Sequence, residues 1–191
     1  MTSRTLSNEK IIETTLILLR EQKPVTFSNL GKRLGTRSQS LYNYFSGTTE
    51  LKAAVTADYY SRIFAKLQTN LMGVAGEEAV VIFAKTYADH GIEDFFVTQY
   101  VMSLPKGKFH EDKQVEEAIE SVYHTLQRLL RPMVKDEKRL MIVERMIRNL
   151  ILGEIIHIGT GRFNNPLVDP NESFEEMLKI AIASIDEKNE N

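Results

Sequence analysis

With 191 residues, 42% hydrophobic and 26% charged, the chain can bury a full core and has the composition of one compact domain or two small ones, not of a disordered segment. It has no cysteine, which excludes a disulfide framework and thiolate metal sites and fits a reducing compartment. The net charge of −2 is unevenly spread: residues 1–52 hold eight Lys/Arg against four Asp/Glu, and the remainder sixteen against twenty-two. A basic module suited to a polyanion therefore precedes an acidic body.

The opening "MTSRTLSNEK" lacks the apolar run of a secretory leader, and "TTLILL" and "EEAVVIFA" are too short to cross a bilayer. A cytoplasmic protein with no membrane partner is expected.

Helical periodicity dominates, and no run of alternating strand residues is convincing. The first helix starts after Ser7 or Asn8, both good N-caps, and runs to about Gln22. Ile12, Leu16 and Leu19 share a face that Ile11, Thr15 and Leu18 widen, and Pro24 ends the helix. Thr26 caps a second, "FSNLGKRL", with Phe27, Leu30 and Leu34 on its apolar side; Gly35 supplies the turn. "TRSQSLYNYF" follows as a third short helix that closes near Ser46-Gly47, with Thr48 or Thr49 capping a fourth that runs to Gly73. Five further helices are expected at about 76–90, 93–104, 111–131, 136–159 and 172–187, separated by joints rich in Gly, Pro, Asn and Asp.

Three short helices with a glycine turn between the second and third match the helix-turn-helix pattern. In the third, Leu41 and Phe45 fall one turn apart on one side, with Ser38 at their edge as a possible N-cap. Gln39, Ser40 and Asn43 fall opposite, flanked by Tyr42 and Tyr44. Glutamine and asparagine amides match the donor and acceptor of adenine in the major groove, and a short serine permits close approach. The tyrosine hydroxyls suit phosphates, Tyr42 more than Tyr44; Arg37, Lys32 and Arg33 suit the backbone charge, and Thr48 and Thr49 offer free amides at a helix start. An isolated stretch of this kind is more often only solvated surface. The order of the helices, the basic balance and the sorted faces together reverse that reading.

The run "TFSNLGKRLGTRSQSLYNYFSGTTEL" resembles the DNA-binding signature of TetR-family transcriptional repressors, with "IIETTLILL" similar to the family's first helix. Thr26, Leu30, Leu34, Gly35, "LYNYF" and Leu51 carry the likeness over residues 8–55. "RNLILGEIIHIGTGRF" and "NESFEEMLKIAI" resemble the last two helices of many members, which implies a homodimer joined by a four-helix bundle. Two departures stand out: the family's phosphate-binding lysine at the start of the fourth helix is replaced by Thr48, and the glycine that often ends the first helix is replaced by "QKP".

In the rest of the chain, His90, His110, His124 and His157 lie in separate segments without i, i+4 pairing, so no metal is expected; "HED" at 110–112 is read as a helix start. G-x-S-x-G is absent, and "GKRLG" lacks the spacing and preceding strand of a phosphate loop, so neither an enzyme nor a cofactor is expected. Phe83, Tyr87, Phe96, Tyr100, Tyr123, Met146 and His157 are the candidate lining of a pocket between helices, with core packing the alternative for each alone. Phe95 and Phe96 cannot both point inward. Residues 139–158 are apolar on more than one face; there Met146, Leu150, Gly153 and Ile158, with Phe174, Met177, Leu178 and Ile182 further on, form the candidate dimer surface.

The expectation is all-α: a three-helix helix-turn-helix DNA-binding domain (1–52) before a helical ligand-binding and dimerisation bundle (53–191), about nine helices in all. The function expected is a homodimeric repressor that binds a near-palindromic operator on double-stranded DNA and is released by a small-molecule inducer. A helical ligand-binding or adaptor protein without sequence-specific DNA binding, suggested by Thr48, is the alternative.

Overall fold

The computed structural model describes residues 6–104, 107 and 112–186. The expectations that fall on His110 and Glu111, and on the tail from Glu187, lie outside them. Among the described residues there are nine helices and no strand: α1 Asn8–Arg20, α2 Phe27–Leu34, α3 Ser38–Leu41, α4 Thr48–Asn70, α5 Gly76–Glu93, α6 Phe95–Met102, α7 Lys113–Leu130, α8 Glu137–Gly159 and α9 Pro170–Asp186. None of them is long and apolar enough to cross a membrane.

The chain forms two compact units, 1–61 with 96–119, and 62–95 with 120–191. The cut differs from the expected boundary after residue 52. The first part of α4 belongs to the first unit, where Ala53 packs with Leu104 and Val115, and Ala57 and Ile119 close over them. Tyr59 and Thr98 share a buried hydroxyl–hydroxyl hydrogen bond of 2.9 Å in the same unit.

Local chemistry explains the helix ends in the first unit. Ser7 Oγ accepts the Lys10 N–H at 3.3 Å and Thr26 Oγ1 accepts the Asn29 N–H at 3.1 Å, so both expected caps are in place. The buried face of α1 centres on Ile11, Thr15 and Leu18, whereas Ile12 is only half-buried. Thr14 and Thr15 tolerate burial because their hydroxyls donate to the carbonyls of Lys10 and Ile11, at 2.7 and 2.8 Å.

Pro24 does not end α1. The helix stops at Arg20 in a Schellman motif, with Lys23 N–H on Leu18 O at 2.8 Å and Gln22 N–H on Leu19 O at 2.9 Å. Gln22 takes the left-handed conformation, φ 54°, that such a motif demands.

In the second unit α5, α8 and α9 pack mutually. Val80, Phe83 and Ala84 of α5, Ile147, Ile151 and Ile155 of α8, and Phe174, Leu178 and Ile182 of α9 are all buried there. Asp136 Oδ1 caps α8 by accepting the Arg139 N–H at 2.7 Å, and Asp169 Oδ1 caps α9 through Asn171 and Glu172. Helix α5 runs past the expected break at "DHG" to Glu93. Gly91 stays helical, and a β-carbon there would sit 2.5 Å from the Ile155 side chain.

Candidate nucleic-acid interface

The α2–α3 corner is built around two glycines. Gly35 ends α2 in the left-handed conformation, φ 65°, and Thr36 N–H bonds Gly31 O at 2.9 Å. Gly31, inside α2 and buried, faces the chain entering α3: a β-carbon there would sit 2.9 Å from Thr36 O and 3.0 Å from Ser38 N. Only hydrogen at that position lets the two helices meet this closely.

Helix α3 is shorter than expected. Its regular part ends at Leu41, and the chain continues in tighter turns, Tyr42 N–H on Gln39 O at 3.3 Å and Tyr44 N–H on Leu41 O at 3.0 Å. Ser38 is not the cap; Arg37 precedes the helix and makes no side-chain cap bond. Neither Thr48 nor Thr49 caps α4, since both are already helical. Glu50 instead reaches back to accept the N–H and the hydroxyl of Ser46, each at 2.6 Å, which holds its carboxyl below the usual range.

Leu41 and Phe45 are buried at 0% and 4% exposure, so they pin α3 down, while Gln39 and Asn43 are exposed and Ser40 half-buried. Among the described residues the side chains of Gln39 and Asn43 make no hydrogen bond within the chain. Tyr42, 56% exposed, rests edge-on against Phe27 with ring centroids 4.8 Å apart, which fixes the ring and leaves its hydroxyl in solvent. Tyr44 is spent on structure: its hydroxyl donates to Leu6 O at 2.9 Å, tying the segment before α1 to α3. Thr26, Arg37, Thr48 and Thr49 are exposed around this face and Ser38 is half-buried at its edge.

One expected phosphate contact is committed elsewhere. Arg33 grips Glu21 with both guanidinium nitrogens, at 2.6 and 3.2 Å, and Lys23 joins them at 2.7 Å. These bonds hold the Glu21 carboxyl below its usual range. Lys32 and Arg37 remain as exposed cations of the α2–α3 segment. The arrangement presents two amides and a serine between a tyrosine hydroxyl and two cations, the chemistry that reads base edges and grips phosphates.

The candidate pocket residues are divided between the two units. Phe96 and Tyr100 belong to the first unit, and the other five to the second. Phe83 is fully buried in the core, edge-on to Tyr87 at 6.4 Å. Tyr123 carries the Arg148 guanidinium 3.7 Å above its ring. A surface depression of about 440 Å³ along α8, lined by Ile142, Arg145, Met146, Asn149 and Leu150, takes Met146 alone from that set. Of the two adjacent aromatics, Phe96 is the one turned to solvent, 39% exposed. Among the described residues no group of three His, Asp or Glu is placed to hold a metal.

The candidate dimer set divides by burial. Phe174, Leu178 and Ile182 are 3%, 0% and 2% exposed because they pack into their own unit, so they form no outward face. Met146, Leu150, Gly153, Ile158 and Met177 are half-buried. The most exposed apolar side chains of α8 and α9 are Met141 at 55%, Ile142 at 48%, Leu152 at 36% and Ile180 at 63%.

No protein-family model matches the sequence, and no curated protein resembles it in sequence. In structure the likeness spans nearly the whole chain. A TetR regulator of Streptomyces coelicolor superposes with a TM-score of 0.72 at 16% identity, over 95% of this chain and 98% of that one. The transcriptional regulator FadR of Bacillus subtilis, solved with stearoyl-CoA, gives 0.72 at 14% identity over 93% and 98%. The TetR-family regulator PfmR of Thermus thermophilus gives 0.65 at 18% identity over 93% and 96%. The chain has the all-helical fold of these TetR-family transcriptional regulators.

Proposed function

We propose that this chain is a ligand-responsive transcriptional repressor that binds a near-palindromic DNA operator as a homodimer. The observation that carries the reading is the α3 face: Gln39 and Asn43 stand exposed on a turn whose other side, Leu41 and Phe45, is locked into the core. Each subunit lays residues 38–44 in the major groove, with half-sites about 34–36 Å apart, one helical turn, or a multiple of that. The outer stripe of α8, Ile142, Met146 and Leu150, with Ile180 of α9, pairs with its counterpart in the second subunit. A small molecule that prefers the dimer geometry with the wrong half-site spacing releases the DNA; a preference of roughly 1–3 kcal/mol is the usual scale.

Selection of bound sequences from random DNA tests this directly. A selected palindrome, with Asn43→Ala or Gln39→Ala weakening binding to it by about 1–3 kcal/mol while the fold stays intact, is the expected result. Wild-type affinity in both variants removes α3 from the groove. Thr48 and the Arg33–Glu21 pair favour a second reading, a ligand-binding or adaptor protein without DNA recognition, since both thin out the cations available to phosphate. Operator binding that falls steeply with salt excludes it.

A further inference from the structure

Three side-chain atoms of α8 are closed off from water with no hydrogen-bond partner: Arg139 Nε near its start and, one turn apart near its end, Glu154 Oε2 and His157 Nδ1. Glu154 is 3% exposed on the α8 face that also buries Val143, Ile147 and Ile155, and its Oε2 is unbonded. His157 Nδ1 is likewise enclosed and unbonded, and the imidazole lies face to face with Phe163, centroids 4.5 Å apart and planes 14° from parallel. Residues three apart on a helix share a side. Buried polar groups in folded proteins are nearly always satisfied, and leaving one unbonded is unfavourable. Burial pushes the Glu154 carboxyl up from its usual range, the mark of an acid with no cation beside it. Of the arginines of α8 that the core half-encloses, Arg139 donates from Nη2 to Ser184 O at 3.0 Å and leaves its Nε unbonded near the other end of the helix, and Arg148 lies over Tyr123 and bonds Glu144 at 3.4 Å.

We infer that Glu154 and His157 form the polar end of a ligand site inside the second unit, and that the ligand it takes is an organic amine, an ammonium on an apolar body. This rests on the ligand-responsive reading above and names its ligand class. An ionised carboxylate is an acceptor, as is the imidazole nitrogen that carries no hydrogen, and an ammonium is a head group with three donors and no acceptor. The bond to the carboxylate is charge-assisted, the strong kind. The flat His157–Phe163 pair adds an aromatic face that suits a cation. A carboxylate or phosphate head would instead set a second anion against Glu154, so acidic amphiphiles are the wrong complement.

The full chain is titrated calorimetrically with n-decylammonium and with decanoate, which share one tail and differ in the sign of the head. The amine is expected to bind at least about tenfold tighter, a difference of about 1.4 kcal/mol. Glu154→Gln keeps the shape and removes the charge; it should cost the amine that factor while the melting temperature stays level or rises. His157→Phe keeps the stack on Phe163 and should weaken the amine several-fold. Equal affinity for the two amphiphiles, binding of neither, undiminished amine binding in both variants, or a Glu154→Gln protein that melts well below wild type each overturns the inference. Operator binding is followed in parallel. Amine binding with no effect on any DNA sinks the repressor reading alone, and an operator released only by acids sinks the amine alone.

Discussion

Helices α3 and α8 sort their side chains in opposite ways. In α3 the partition is ordinary: Leu41 is buried, Gln39 and Asn43 are out. Its message lies in which polar groups are out, two amides of a kind that matches adenine. In α8 the partition is inverted twice, with Met141, Ile142 and Leu152 left in solvent and Glu154 shut in the core. Exposed apolar residues on a helix ask for a second apolar surface, and a buried acid asks for a donor. One helix is thus read from the identity of its outward groups, the other from groups on the wrong side.

The sharpest way to break α3 is from beneath. Leu41→Ala empties a fully buried site under a helix of a single turn, and a loss of about 2–5 kcal/mol is expected in denaturant melts, with DNA binding lost as well. Gly31→Ala should follow at about 1–3 kcal/mol, because the methyl meets the backbone at Thr36 and Ser38, which has no rotamer to give. The corresponding strike on α8 comes from outside. Ile142→Glu puts a charge on the exposed stripe, so sedimentation should show self-association weakened at least about tenfold with the melting temperature of the isolated subunit unchanged; an unaltered dimer would place the contact elsewhere.

A gentler probe separates the two units by pH. Burial, with Lys66 and Arg62 adding to it against the opposing pull of Asp94 and Glu93, depresses His90 to about 4. The unfolded chain therefore takes up this proton from its ordinary value near 6.5 downward, while the folded chain does so only near 4. Stability attributable to His90 is full above 6.5 and falls as pH drops through the window between those values. His90→Gln should flatten that part of the acid melting curve and leave the α3 face untouched.

The capping residues Ser7 and Thr26 and the turn at Gly35 were legible in the sequence because a cap is a local event, settled by one side chain and the next three amides. The length of α3 was not, since the apolar spacing of Leu41 and Phe45 is the same whether the chain between them is a full helical turn or a tightened one. The sign of α9 was not legible either. Phe174, Leu178 and Ile182 form a clean stripe, but a stripe says only that something covers it, and here its own α5 and α8 do so. Arg33 and Tyr44 escaped for a third reason: their partners, Glu21 and Leu6, are 12 and 38 positions away.

The ends of α1 and α2 offer the smallest and cleanest contrast. Both close in a Schellman motif, and both put one residue in the left-handed region, Gln22 at φ 54° and Gly35 at φ 65°. A residue with a β-carbon is disfavoured there by about 1–2 kcal/mol, whereas glycine loses about 0.5–1 kcal/mol more backbone freedom on folding. The two nearly offset, with the balance toward glycine. Gln22→Gly should therefore raise stability by up to about 1 kcal/mol, and Gly35→Ala should lower it by a similar or larger amount. Since the Glu21–Arg33 pair survives the first change, DNA affinity should stay at the wild-type level there. A Gln22→Gly protein that melts lower would mean that the glutamine side chain stabilises the α1 end by more than its backbone strain costs.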